Sequence, residues 1–149
     1  MTRRFALLVG LSGLMGLSAC SAMMTFTLAG GLDRPEVTFD GGRKACISEL
    51  IVYEANDAGA PLWSIKAEGR RCVMLRHVVY GQTPLGLSVL TPAAPLRPDG
   101  VYEAVGGGST THPLSRIPWR GYARFHFRDG QWRIVQTEAE ALRFARRGA

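Results

Sequence analysis

The chain has 149 residues, a formal charge of +6 and 46% apolar residues, enough for one domain with its own core and too few for two. Arginine supplies 16 of the 18 basic residues, a surface chemistry whose planar forks match phosphate-bearing neighbours. No G-x-S-x-G, no CxxC pair and no glycine-lysine phosphate loop occurs, so the large motif-defined hydrolase, zinc and nucleotide-binding classes find no sequence support.

The amino end opens with Arg3 and Arg4, a positive n-region, followed by an uncharged apolar run from Phe5 to Leu17. That run has the length of an h-region and is short for a membrane span. It closes on Leu17-Ser18-Ala19-Cys20. These four residues resemble the lipobox of bacterial lipoproteins, a leucine and two small residues before a cysteine. The resemblance implies a diacylglycerol thioether on Cys20, cleavage after Ala19, and Cys20 as the lipidated first residue. The thiol is the nucleophile towards the lipid donor, and the small residues let an extended backbone enter the peptidase. Ser21 follows where an aspartate would signal retention, which in Gram-negative lipoproteins implies transfer to the outer membrane, facing the periplasm. The competing expectation is a single uncleaved span, since no charge appears from Phe5 to Leu32. Glycines 10, 13, 16, 30 and 31 and the polar Ser12, Ser18, Ser21, Thr25 and Thr27 weigh against it. Thr2-Arg3-Arg4-Phe5 loosely resembles a twin-arginine signal, but paired arginines are ordinary in n-regions.

Cleavage before Cys20 leaves 130 residues, and losing Arg3 and Arg4 lowers the formal charge to +4. Cys46 and Cys72 remain as an even pair in an oxidising compartment, and a disulfide between them is expected. Their spacing, with no histidine pair nearby, does not suggest zinc. Neither metal nor cofactor is expected. The expected neighbours of such a domain are lipid head groups, other anionic envelope components and envelope proteins; a nucleic-acid partner is not expected in that compartment. Ser21 to Asp33 is small, apolar and glycine-containing, and reads as a flexible tether, unusually hydrophobic for a linker, with Met23, Met24 and Phe26 expected on the lipid surface or under the domain. The expected plan is a signal peptide over 1–19, a lipidated tether over 20–34 and one β domain over 35–149.

From Pro35 onward, short runs of β-branched and aromatic residues alternate with turn signals. Strands are expected at Glu36–Phe39, Ile47–Glu54, Leu62–Ala67, Cys72–Tyr80, Gly86–Leu90, Val101–Val105, Tyr122–Arg128 and Gln131–Thr137. Asp129-Gly130 suits a two-residue type I′ turn. That register pairs Phe127 with Trp132 and Phe125 with Ile134 on one face, and turns Arg124, His126, Arg128 and Arg133 to the other. This basic face is the candidate contact for an anionic partner. At the carboxyl end the period changes; Thr137 and Glu140 form a capping-box pattern, and a short helix is expected over 138–146. The fold class expected is mainly β, a small antiparallel sandwich with that helix. It resembles small immunoglobulin-like or fibronectin-like β-sandwich lipoproteins in strand rhythm, in Cys46 followed by Trp63, and in the phrase Leu96-Arg-Pro-Asp-Gly-Val-Tyr102.

Catalytic constellations are weak. The imidazoles are His77, His112 and His126. Ser109 with His112 lacks a nucleophile elbow, and a polar loop is the better reading. Gly106-Gly-Gly108 lacks the lysine of a P-loop and reads as a bulge or strand end. Glu49 and Glu54, five apart in one strand, fall on opposite faces and make a poor carboxylate pair. Trp63 and Trp132 read as core; Trp119, in Arg116-Ile-Pro-Trp-Arg120 between loop and strand, has two readings, core burial as the better one and surface presentation at an interface or membrane as the alternative. The leading expectation is therefore a non-catalytic envelope binding or accessory module. An envelope hydrolase with an unrecognised site and a single-span anchored protein are the alternatives.

Overall fold

A computed structural model describes residues 22–55, 57–69, 72–110 and 117–135. Cys20 with the signal segment, the His112 loop and the helix expected over 138–146 lie outside the described residues.

The elements are β1 (Ala22–Met24), β2 (Phe26–Ala29), β3 (Glu36–Phe39), a 3-10 turn (Asp40–Gly42), β4 (Ala45–Glu54), β5 (Asp57–Ala67), β6 (Val73–Leu75), β7 (His77–Val79), β8 (Leu87–Thr91), β9 (Val101–Ser109), β10 (Pro118–Arg128) and β11 (Gln131–Ile134). They form two sheets. The larger runs β1-β10-β9-β4-β5-β8, with β11 also on β10 and β6 also on β4; the smaller runs β2-β3-β7. Pairing is antiparallel throughout, save β1 on β10. The fold is mainly β and sandwich-like, as its alternating sequence implies.

One core lies between the sheets. Phe26, Val37, Phe39 and Val78 come from the smaller sheet, and Ile47, Leu50, Val52, Trp63, Ile65, Tyr102, Ala104, Trp119 and Phe125 from the larger. Period two explains β3, where Val37 and Phe39 are buried between half-exposed Glu36 and Thr38. It fails in β4, where Ile47 and Leu50 share the core side although three residues apart. There the β9 register skips Ser48, a bulge that inserts one extra residue and resets the alternation.

Residues 22–29 correct the tether expectation. Ala22–Met24 pairs with Trp119–Gly121, and Phe26–Ala29 pairs with Glu36–Phe39. Phe26 is 3% exposed, edge-on to Phe39 at 5.5 Å and to Trp119 at 6.4 Å. The cause is a glycine floor. Gly121 pairs with Gly106 across β10 and β9, and a Cβ on either would strike the Phe26 ring. Gly108 makes the same room for Trp119, whose indole Nε1 donates to the Cys46 carbonyl at 3.1 Å. The Gly106–Gly108 run is thus neither a bulge of β9 nor its end. It continues the strand to Ser109, supplying flat backbone under two aromatic rings.

One further boundary moves. Cys72–Tyr80, expected as one strand, bends at Arg76 and serves both sheets, β6 on β4 and β7 on β3. The Leu96–Tyr102 phrase has a structural meaning: the Tyr102 hydroxyl donates to the Arg97 carbonyl at 2.9 Å and accepts from the Arg97 N–H. This is the tyrosine-corner arrangement of sandwich domains, which pins the chain entering a late strand.

Candidate functional site

The two ends of β10 carry the candidate features. At its start lie β1, the cystine and the residues nearest in sequence to Cys20. At its finish lies the basic hairpin.

Cys46 sits in β4 opposite Ser109 of β9 and Met74 of β6, and Cys72 directly precedes β6. Their α-carbons are 5.1 Å apart, disulfide distance. Ser109 Oγ lies 3.2 Å from Cys72 Sγ, so this serine packs on the sulfur pair. Trp119 closes the group from the core side through its bond to the Cys46 carbonyl.

The hairpin has the register its sequence specifies. Asp129 and Gly130 take φ of 53° and 72°, and Phe125 pairs with Ile134, His126 with Arg133, and Phe127 with Trp132. Burial along the apolar face is uneven. Phe125 is 2% exposed, Phe127 and Trp132 are half-buried, and Ile134 is 48% exposed. Among the described residues, β11 is an outer strand pairing only with β10, so the core reaches its near residues and stops short of Ile134.

The basic face is largely offset within the fold. Arg124 meets Glu103 of β9 at 3.0 Å, and Arg133 meets Asp129 of the turn at 3.6 Å. Nearby, Arg97 is bound to Glu54. Register produces the first pair: Arg124 and Glu103 lie directly opposite, where unlike charges stabilise a sheet. His126 and Arg128 form no ion pair with a carboxylate among the described residues. They line an open hollow of about 530 Å³ together with Pro98, Asp99 and the Asp129-Gly130 turn. Its walls carry both signs of charge.

A second hollow, of about 510 Å³, lies against Leu32, Ala94, Pro95, Leu96 and Tyr80. The Tyr80 hydroxyl donates to the Ala94 carbonyl at 2.7 Å. Burial, and next the neighbouring Tyr102, push that hydroxyl up to about 12, with the Ala94 bond pulling the other way. Tyr80 therefore serves as a neutral strut.

The remaining candidates are scattered. His77 is exposed at the start of β7, its Nδ1 3.6 Å from Glu36. Glu49 faces outward beside Gly107, whereas Glu54 is the carboxylate held by Arg97. Trp63 and Trp119 are core, 0% and 1% exposed. Among the described residues, no three His, Cys, Asp or Glu side chains are grouped to hold a metal ion. Among the same residues, no helix is long and apolar enough to cross a membrane.

What the sequence reading missed is the start of the fold. Ala22, Met24, Phe26 and Leu28 turn inward while Met23, Thr25, Thr27 and Ala29 stay exposed, an unbroken period-two pattern. No protein-family model matches the chain, and no curated protein or solved structure does.

Proposed function

We propose that this chain is a lipid-anchored cell-envelope protein whose immunoglobulin-like sandwich works as a non-catalytic binding or accessory module. The observation that carries the reading is the Cys46–Cys72 pair at disulfide distance. Cystines persist in oxidising compartments, and a reducing cytosol does not maintain them. The Leu17-Ser18-Ala19-Cys20 motif supplies a route to such a compartment and a reason to stay there. Two or three acyl chains exceed the two-signal threshold for stable attachment. Ser21 favours the outer membrane, with the domain facing the periplasm. The Tyr102 corner supports the sandwich assignment, and the Thr137/Glu140 pattern supports a short closing helix over 138–146.

The partner class is an envelope protein or an anionic envelope component. The hairpin residues His126 and Arg128 are its remaining contact candidates, because Arg124 and Arg133 already face carboxylates. The experiment is metabolic labelling with a fatty acid in cells making the full chain or Cys20→Ser. Label should enter the first and be absent from the second, which should also accumulate as unprocessed precursor. Label persisting in Cys20→Ser refutes the anchor.

A further inference from the structure

β1 begins at Ala22, with only Ser21 between it and Cys20. At about 3.3 Å per extended residue, two residues span at most roughly 7 Å, which bounds the distance from the anchor to the edge of the larger sheet. A spacer that would let the domain tumble above a bilayer is therefore missing from the chain's design. We propose that the end of the larger sheet where β1 begins is a bilayer-docking surface, seated on the anionic phospholipid head groups of the membrane that holds the Cys20 lipid. It rests on the lipid-anchor reading above.

The pairing registers assemble this surface from five strands. Met74, Cys46, Ser109 and Pro118 fall in one row across β6, β4, β9 and β10. Glu49, Gly107, Arg120 and Met23 fall in the next, across β4, β9, β10 and β1. Both rows lie on the face away from the core. The exposed apolar residues there are Met23 at 45% and Met74 at 41%, with Ile117 at 40% just before β10.

Basic side chains surround them. Arg120 is exposed within the second row, Arg43 and Lys44 lead into β4, and Arg76 follows β6; all are exposed. The nearby carboxylates are Asp40, which meets Arg43 at 3.0 Å, Glu36, which lies 3.6 Å from His77, and Glu49, which lies opposite Lys66 of β5. Positive charge is in excess at this end. At the hairpin end, among the described side chains, Arg97, Arg124, Arg128 and Arg133 stand against Glu54, Asp99, Glu103 and Asp129, a balance. Exposed apolar residues rimmed by unbalanced basic ones are the chemistry of an interface with anionic lipid.

The same registers orient the domain. Trp119 of β10 is level with Ala22, and Arg128 is nine residues further along the strand, roughly 30 Å away. The Debye length at physiological salt is about 8 Å, so a domain standing on its β1 end holds the hairpin beyond the reach of the head groups. Between the two ends, Tyr122 is 8% exposed and Arg124 is engaged by Glu103, so the outer face of β10 is not a continuous basic track. The hairpin tip then faces the compartment, where a partner reaches it.

The test uses the full lipidated chain in phosphatidylcholine vesicles with and without phosphatidylglycerol. An environment-sensitive fluorophore is placed at Met23→Cys, at Arg120→Cys as a second site, and at Gln131→Cys as the distal reference. Intact mass reports the lipid on Cys20, and near-ultraviolet circular dichroism reports folding. Probes at 23 and 120 should shift to the blue and be quenched by a head-group quencher. The effect should grow with phosphatidylglycerol and fall in Lys44→Glu with Arg76→Glu, while the probe at 131 stays aqueous. Aqueous probes at 23 and 120 in folded, lipidated protein overturn the docking surface and leave the anchor standing. A probe at 131 that also enters the head groups overturns the upright geometry. If Cys20 carries no lipid, the anchor reading fails and the docking surface falls with it.

Discussion

Phe26→Ala separates a folded amino end from a tether more sharply than any other single change. A tether residue would tolerate the truncation with little loss. In the structure, Phe26 is 3% exposed and its ring lies over Gly106 and Gly121, edge-on to Phe39 and Trp119. Burying a phenylalanine side chain is worth about 1.5–3 kcal/mol by transfer. Each well-placed aromatic pair adds about 0.5–1.5 kcal/mol. Removal also leaves a cavity floored by glycine backbone, which has no side chains to relax into it. The expected loss is therefore about 3–5 kcal/mol, the range of measured phenylalanine truncations. Urea denaturation of the detergent-solubilised full chain, followed by tryptophan fluorescence, reads this directly because Trp119 touches the ring. With a slope of about 2 kcal/mol/M, the midpoint should fall by roughly 2 M. A loss below about 1 kcal/mol would show that the first two strands contribute little, and the bilayer-seated geometry would lose its basis.

The remaining expectations concern the cystine and Tyr80. Cys46 and Cys72 are 26 residues apart, so the chain-entropy relation assigns their bridge about 3.5 kcal/mol. Cys46→Ala with Cys72→Ala should lower the urea midpoint accordingly, and mass mapping of unreduced protein should recover the two peptides linked; free thiols at both positions would contradict the pairing. The Tyr80 hydroxyl, raised to about 12 by burial and by Tyr102, is held neutral by the fold. A group raised above its unfolded value of about 10 gives stability that is whole below pH 10 and lost as pH climbs towards 12. Ultraviolet titration should show a last phenolate step near 12 that Tyr80→Phe removes; if that step persists in the variant, it belongs to another tyrosine.

The parts of this fold that were legible in the sequence are those governed by local rules. β3 falls where its Glu-Val-Thr-Phe alternation puts it, and Asp129-Gly130 sets a register that holds pair by pair. The cysteine pair followed from parity and compartment alone. What failed depended on partners distant in sequence. Gly106-Gly-Gly108 read as a bulge or strand end, because nothing local shows that Phe26 and Trp119 need the side chains missing there. The amino end read as a tether because glycine and small residues dominate its composition, although its alternation of inward and outward residues was present from Ala22. The basic hairpin face was read correctly in register and incompletely in charge. Glu103 is some twenty residues from Arg124, and only the β9–β10 pairing brings them together.

The anchor is the point on which compartment, orientation and partner class all turn. Intact and peptide mass spectrometry of the protein recovered from envelopes measures it most directly. The amino-terminal peptide should begin at Cys20, continue Ser21-Ala22-Met23, and carry the added mass of a diacylglycerol. A chain that retains Met1, or one cleaved elsewhere with an unmodified Cys20, would contradict the anchor and everything built on it.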